Sequence, residues 1–351
     1  MTASVSAGKN KKSTDRKWGK KPRKATYRET KANNEASVRM NADTFDIRNW
    51  IGMIESELSE MNAGKKGRPY LYCDSMMVWI MTFMSYNCLT LRKAAGIAQG
   101  IMKTLGKTFP HYSTVCRRMR QIVSADCTFY GEGKIIATYV RPYTTSRKRT
   151  VAVDSTGLTL NDSSLYREGK WGVSEGHRGW LKLHALTDVD TNEVLAFVLT
   201  YDDVGDSPQL RPLVRMVLEK GHRIKTLYAD SAYESSESWV FLNSKNIEFN
   251  VRFKSNTVAH SNGCMDRGES AKIWVEQGPD IWSRIKKYGL RWKIESAFSD
   301  FKRIIGEYVR SRTRKGRAVT ITASVIVYNK HKRIRADLIS INERNVLTAE
   351  D

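Results

Sequence analysis

The sequence predicts an α/β fold: a mixed five-stranded sheet with helices on both faces, preceded by a helical N-terminal region. Three observations carry this. Apolar residues recur every three or four positions up to about residue 125, then give way to short alternating runs after about residue 150. The downstream elements follow the order three strands, helix, strand, helix, strand, helix, which suits a sheet covered on both faces. Two acidic residues, Asp154 and Asp230, each follow directly on a strand.

The elements can be justified in order. Residues 1–34 hold eleven Lys and Arg against two acids, Asp15 and Glu29, with little to build a core. They are expected to be a disordered basic arm, serving either to follow phosphates or to solubilise. Residues 35–140 form the helical region. Phe45, Trp50, Ile51, Ile54 and Leu58 share helical spacing, Gly67-Arg68-Pro69 makes a turn, and the apolar run from Leu71 to Leu89 is a buried helix. Thr90 is placed to cap the next helix. The segment "YSTVCRRMRQIV" completes a helix pair that suits a helix-turn-helix, its second member carrying Arg117, Arg118 and Arg120.

A basic linker at 141–150 marks a domain boundary, and the α/β domain occupies 150–330. "VAV" is a strand leading to Asp154. "GWLKLHAL" and "EVLAFVLT" alternate and form a hairpin turning at Asp190 to Asn192. A helix over 207–220 is capped by Ser207 or Asp206, and "IKTLYAD" is a strand ending at Asp230. A helix, the strand "EFNVRF" and a loop from 254 to about 280 precede a long helical stretch from about Asp280 to Ile305. This succession is that of an RNase H-like domain. Residues 331–351 are expected to be a tail.

Charge narrows the partner. The net charge of +22 calls for a polyanion or an anionic membrane. No basic amphipathic helix with a Trp/Leu face stands out, so nucleic acid is favoured. No run of about 18 apolar residues appears, so no membrane span is expected. The five cysteines are odd in number and include no Cys-x-x-Cys pair, which argues against zinc or disulfides and for a reducing, intracellular compartment.

Three carboxylates carry the chemistry. In an RNase H-like sheet the first and fourth strands are neighbours, so Asp154 and Asp230 would converge. Small residues follow each, Ser155, Thr156 and Gly157 after the first and Ser231 and Ala232 after the second, leaving room for a phosphate. In "YGLRWKIESAFSDFK", a helical advance of about 100° per residue puts Tyr288, Arg291, Glu295 and Lys302 within one arc of roughly 60°. Crowded carboxylates need a compensating cation, and Mg²⁺ or Mn²⁺, as two ions, would suit them as hard-oxygen ligands. Arg291 and Lys302 could hold a phosphodiester, and Tyr288 could stack on a base or bind a phosphate.

These blocks carry a resemblance. "VAVDSTGLTL", "LYADSAYES" and "YGLRWKIESAFSDFK" resemble the three motifs of DDE transposases of bacterial and archaeal insertion sequences, near the insertion-sequence-four and insertion-sequence-five groups. Tyr288, Arg291, Glu295 and Lys302 reproduce that family's Y-R-E-K pattern, and "WLKLHAL" resembles its Trp-Lys-Leu-His block. The resemblance covers about residues 65–330. It implies Asp154, Asp230 and Glu295 as catalytic metal ligands, Mg²⁺-dependent cleavage and strand transfer, recognition of terminal inverted repeats and target DNA, and a homodimer or larger assembly when synapsed. A cytoplasmic, nucleoid-associated protein is the corresponding expectation. Only 64 residues separate Asp230 from Glu295, too few for the large β-rich insertion of some relatives.

Further candidates have plainer alternatives. Lys182 and His184 share one face of a strand and could approach DNA or serve structurally. Asp203 and Asp206 are read as turn and cap residues. The basic run at 309–317 could contact DNA or be a solvated loop. An RNase H-like nuclease without strand transfer, and a non-catalytic DNA-binding protein derived from such an element, remain the alternatives.

Overall fold

A computed structural model describes residues 27–123, 127–142, 147–160 and 180–347. Five helices come first: α1 (Tyr27–Arg39), α2 (Arg48–Asn62), α3 (Asp74–Tyr86), α4 (Leu91–Thr104) and α5 (Tyr112–Val123). Then come β1 (Cys127–Phe129), β2 (Ile135–Val140), the long β3 (Lys148–Leu160), β4 (Trp180–Asp188) and β5 (Val194–Tyr201). Helix α6 (Leu210–Glu219) leads to β6 (Arg223–Ala229), and α7 (Ser236–Asn243) to β7 (Glu248–Val251). Helices α8 (Met265–Gln277), α9 (Pro279–Ile285) and α10 (Trp292–Ile305) precede β8 (Tyr308–Val309) and α11 (Arg314–Leu347).

The strands form one sheet in the order β1-β2-β5-β4-β3-β6-β7, with β8 beside the end of β3. Strands β5, β4 and β3 run antiparallel, while β6 and β7 run parallel to β3. These five are the expected RNase H-like arrangement. The hairpin between β4 and β5 turns where expected, with Asn192 in the left-handed conformation at φ 57°. Thr90 caps α4 by accepting from the Lys93 N–H.

Alternation sorts side chains to two cores. On β3, Ala152, Leu158 and Leu160 face the core shared with α3, α5, α10 and α11. Val151 and Val153 face the opposite core, built with α6, α7, α8 and α9. Both sheet faces are therefore covered, as a buried parallel arrangement requires.

The structure departs from the sequence reading in five places. The sheet has eight strands, because β1 and β2 cross from the N-terminal side of the expected boundary at 141–150 and pair onto β5. Tyr139 stacks on Phe197 at 5.3 Å, so this addition is packed as well as hydrogen-bonded. The chain is helical from Tyr27, inside the stretch expected as an arm; residues 1–26 lie outside the described residues. There Ala32 and Ala36 are buried, and Ser37 Oγ lies 3.3 Å from His331 Nε2 on α11. The expected tail belongs to α11, which runs on to Leu347. The expected loop at 254–280 contains α8, whose Ala271 and Trp274 are buried. The single helix expected over 280–305 is broken. Lys287 adopts φ 51°, and Tyr288–Arg291 is a 3₁₀ turn before α10 begins.

Candidate active site

The site forms where β3 outruns β6. The two strands pair in parallel with Ala152 opposite Tyr228. Carrying that register two residues further sets Asp154 level with Asp230, just past the end of β6. Asp154 thus lies within β3, opposite Ala185 of β4, rather than after the strand as its sequence suggests. Asp230 caps a 3₁₀ turn by accepting the Ala232 N–H, which fixes its carboxylate at the strand end. Asp154 has the parity of Ala152, so it faces α10. That helix packs Ile294 and Phe298 into the same core and presents Glu295 from its first turn.

A cation joins the acids. The Arg291 guanidinium donates to Glu295 Oε1 at 2.5 Å and lies 3.6 Å from Asp154 Oδ2. Burial pushes the Asp154 carboxyl up to about 6. The Ser155 backbone N–H, donating at 2.8 Å, and Arg291 oppose that rise, while Asp230 and Glu295 add to it. Asp154 therefore feels both of the other expected carboxylates. Among the described residues, however, no three acidic, His or Cys side chains stand close enough to grip one ion together. Arg291 occupies the space between Asp154 and Glu295. The donor set is nonetheless all hard oxygen, which fits a divalent cation once Arg291 withdraws.

Tyr288 does not reach towards a ligand. Its hydroxyl donates to the Ala229 carbonyl at 2.8 Å, and its ring lies 5.0 Å from that of Trp282. Burial, foremost, pushes its phenol up to about 12. It ties the start of the α10 motif to the residue before Asp230. The aromatic beside the acids that faces solvent is Trp292, 55% exposed and 5.7 Å from the Arg291 guanidinium. Its position directly after Arg291 was visible in the sequence; its exposure depended on the break at Lys287.

Lys182 and His184 lie on the other face of the sheet. His184 pairs with Ser155, not with Asp154, so alternation turns both side chains away from Glu295. His184 is fully buried, which removes it from any DNA-facing surface. Both reach Asp206, Lys182 Nζ at 2.9 Å and His184 Nδ1 at 3.2 Å. Burial alone would raise the Asp206 carboxyl. Hydrogen bonds from His184, Lys182 and Ser155 outweigh it and hold the group well below the usual carboxylate range. Asp206 makes no capping side-chain bond, so the expected cap is instead a half-buried anchor behind β3. Asp203 pairs with Lys134 at 2.8 Å.

Tyr233 stands three residues after Asp230, as the resembled second motif commonly has it. Its side chain is 1% exposed, its hydroxyl has no hydrogen-bond partner, and burial followed by the charges of Asp206, Asp154 and Asp230 raises its phenol far above the ordinary value. Gly157 was read as room for a phosphate; the Trp180 ring fills that space, and a Cβ there would meet it at 3.0 Å. Arg118 is engaged by the Tyr72 carbonyl and Asp74, whereas Arg117 is exposed. Lys302 is half-buried two turns beyond Glu295 on α10.

An RNase H-like sheet with acids level with one another on two adjacent parallel strands, one within β3 and one just past β6, and a third acid on the covering helix, defines a carboxylate-site α/β protein. Two families, each described as "Transposase DDE domain", match the chain, one over residues 145–330 and the other over residues 46–163. The chain belongs to the DDE transposase family. Among solved structures it is similar to the "Drosophila P element transposase strand transfer complex", with 10% identity and a TM-score of 0.33. That similarity covers 59% of this chain and 47% of the other, so the chain spans about half the length of the structure it matches. Among the described residues no helix is long and apolar enough to cross a membrane.

Proposed function

We propose that the chain is the transposase of an insertion sequence, binding terminal inverted repeats and catalysing DNA strand cleavage and strand transfer with Mg²⁺ or Mn²⁺. The observation that supports this best is the register of β3 and β6, which sets Asp154 and Asp230 side by side while α10 delivers Glu295 to the same face. Asp154, Asp230 and Glu295 would hold the metal, as two ions. Bound divalent ions would supply Lewis-acid stabilisation of a phosphodiester undergoing in-line displacement.

The protein's own groups do the rest. Arg291, released from Glu295, carries its guanidinium to a phosphodiester oxygen, where its planar fork fits two acceptors. Lys302 extends the same positive edge along α10. Trp292 offers a ring on which a displaced base can stack. Tyr288 holds the Ala229 carbonyl and so keeps Asp230 in place. Water attacks phosphorus and the 3′-oxygen leaves; the freed 3′-hydroxyl then attacks a target phosphorus, losing its proton as the target strand's own 3′-oxygen leaves and takes one up. A dimer or larger assembly would bring two ends together, at the nucleoid.

The test incubates protein with terminal-repeat DNA, target DNA and Mg²⁺. Joined products are expected from the wild type, and none from Asp154→Asn, Asp230→Asn or Glu295→Gln, while DNA binding persists. Nicks without joining would replace this reading with a nuclease. Wild-type cleavage by any of the three variants would remove that residue from the site.

A further inference from the structure

Two basic segments far apart in sequence meet on one surface. The start of α4, the first turns of α5 and the loop between β8 and α11 line a groove of about 690 Å³. Arg92, Arg117, Arg310 and Arg312 line it and all four are exposed; among the described residues no acidic side chain lines it. The Arg92 guanidinium lies 4.9 Å from the centre of the Tyr112 ring, which holds it in place. Thr90, the cap of α4, also lines the groove, so the partial positive charge of that helix start adds to the four cations.

We infer that this groove is a docking surface for the sugar–phosphate backbone of duplex DNA flanking the reaction site, an inference that rests on the DNA-acting function proposed above. Arg92, Arg117 and Arg310, three like charges on a groove that no described acidic residue lines, call for a polyanion. The groove is far larger than one phosphate needs, so its charge suits successive phosphodiesters. Single strands are held chiefly by stacking on aromatic rings. Here the Tyr112 face is taken by Arg92, which favours a duplex. The groove is tied to the catalytic strand, because Tyr308 of β8 pairs with Thr159 of β3. At about 3.3 Å per residue, Thr159 lies roughly 17 Å along β3 from Asp154. At about 3.4 Å per base pair, the groove would meet the backbone some five or more base pairs from the reacting phosphate.

The experiment measures anisotropy of a labelled 30-base-pair duplex of mixed sequence, and of its single strand, against salt. It compares wild type, Arg117→Ala/Arg310→Ala, and a control of equal charge loss, Lys225→Ala/Lys245→Ala, with circular dichroism verifying the fold. Each lost phosphate contact lowers the log–log salt slope by about 0.9. The arginine pair is expected to lower it by about 2 and to weaken duplex binding about 10- to 100-fold, with a smaller effect on the single strand and little effect from the control. An unchanged slope, an equal loss in the control, or a loss confined to the single strand overturns the assignment. An Arg117→Lys/Arg310→Lys variant that retains most of the duplex affinity supports it should the alanine pair misfold. If the arginine pair lowers the slope while wild type cleaves nothing with Mg²⁺, the groove stands and the enzymatic proposal falls.

Discussion

Replacing Arg291 by Ala should tighten metal binding in the absence of DNA. The Arg291 side chain is 15% exposed and fills the space between Glu295, 2.5 Å away, and Asp154, 3.6 Å away. A cation bridging those acids must displace it. A hydrogen bond to a charged group contributes about 1.5–3 kcal/mol. The Glu295 side chain is 36% exposed, so screening trims this to about 1–2 kcal/mol. That corresponds to roughly a 5- to 30-fold lower Kd for Mn²⁺, read by the loss of the free-ion electron paramagnetic signal on titration. The measurement belongs at pH 8. Arg291 holds the Asp154 carboxyl down, so without it the group binds its proton more tightly, and near pH 6 protons would mask the gain. Unchanged or weaker Mn²⁺ binding at pH 8 would refute the idea that Arg291 stands in the cation's place. The same variant should lose cleavage, because the guanidinium would no longer reach the phosphodiester.

Three further outcomes follow from the site. The Asp154 carboxyl lies at about 6 against an ordinary 3.8, so its contribution costs nothing below pH 4, grows as pH rises through 4 to 6, and is fully present above. Asp154→Asn should therefore raise the metal-free melting temperature at pH 7.5 by about 2–5 °C and leave it unchanged at pH 4; a lower melting temperature at pH 7.5 would count against this. Tyr233→Phe removes a buried hydroxyl without a partner, so the metal-free protein should be equally stable or up to about 1 kcal/mol more stable in urea; a loss beyond that would show that the hydroxyl is satisfied. Asp206→Asn weakens the half-buried partner of Lys182 and His184 and should cost about 1–3 kcal/mol, whereas Asp203→Asn, at an exposed pair with Lys134, should cost under about 1 kcal/mol, both measured by denaturant melts.

The central strands were legible because their alternation is set locally: "WLKLHAL" and "EVLAFVLT" each carry one face inward whatever their neighbours do. Strand β1 has only three residues, Cys127 to Phe129, and takes its identity from pairing with β2, which no local pattern encodes. Helix α8 escaped because Gly268 and the polar residues around it blur the period of its buried Ala271 and Trp274. The break at Lys287 rests on a left-handed residue with no glycine to announce it. In the site, the Y-R-E-K spacing located Arg291 and Glu295 correctly as a pair one turn apart. It could not show that Tyr288 turns inward to the Ala229 carbonyl. The face taken by Lys182 and His184 depended on the register Ser155 to His184, which is a tertiary fact. Asp206, read as a turn or cap residue, and Tyr233, read as part of the second motif, took their places behind β3 only where separate turns met.

The pairing of α1 with α11 has a consequence for how the molecule is made. Ala32 and Ala36 bury their methyl groups on a helix that begins at Arg314. Helix α1 thus lacks that surface until almost three hundred further residues have been synthesised. It cannot settle in place ahead of the sheet. Cutting α11 short would expose the opening helix as surely as deleting its partner face, so truncation from the C-terminal side is a lesion in the N-terminal region as well.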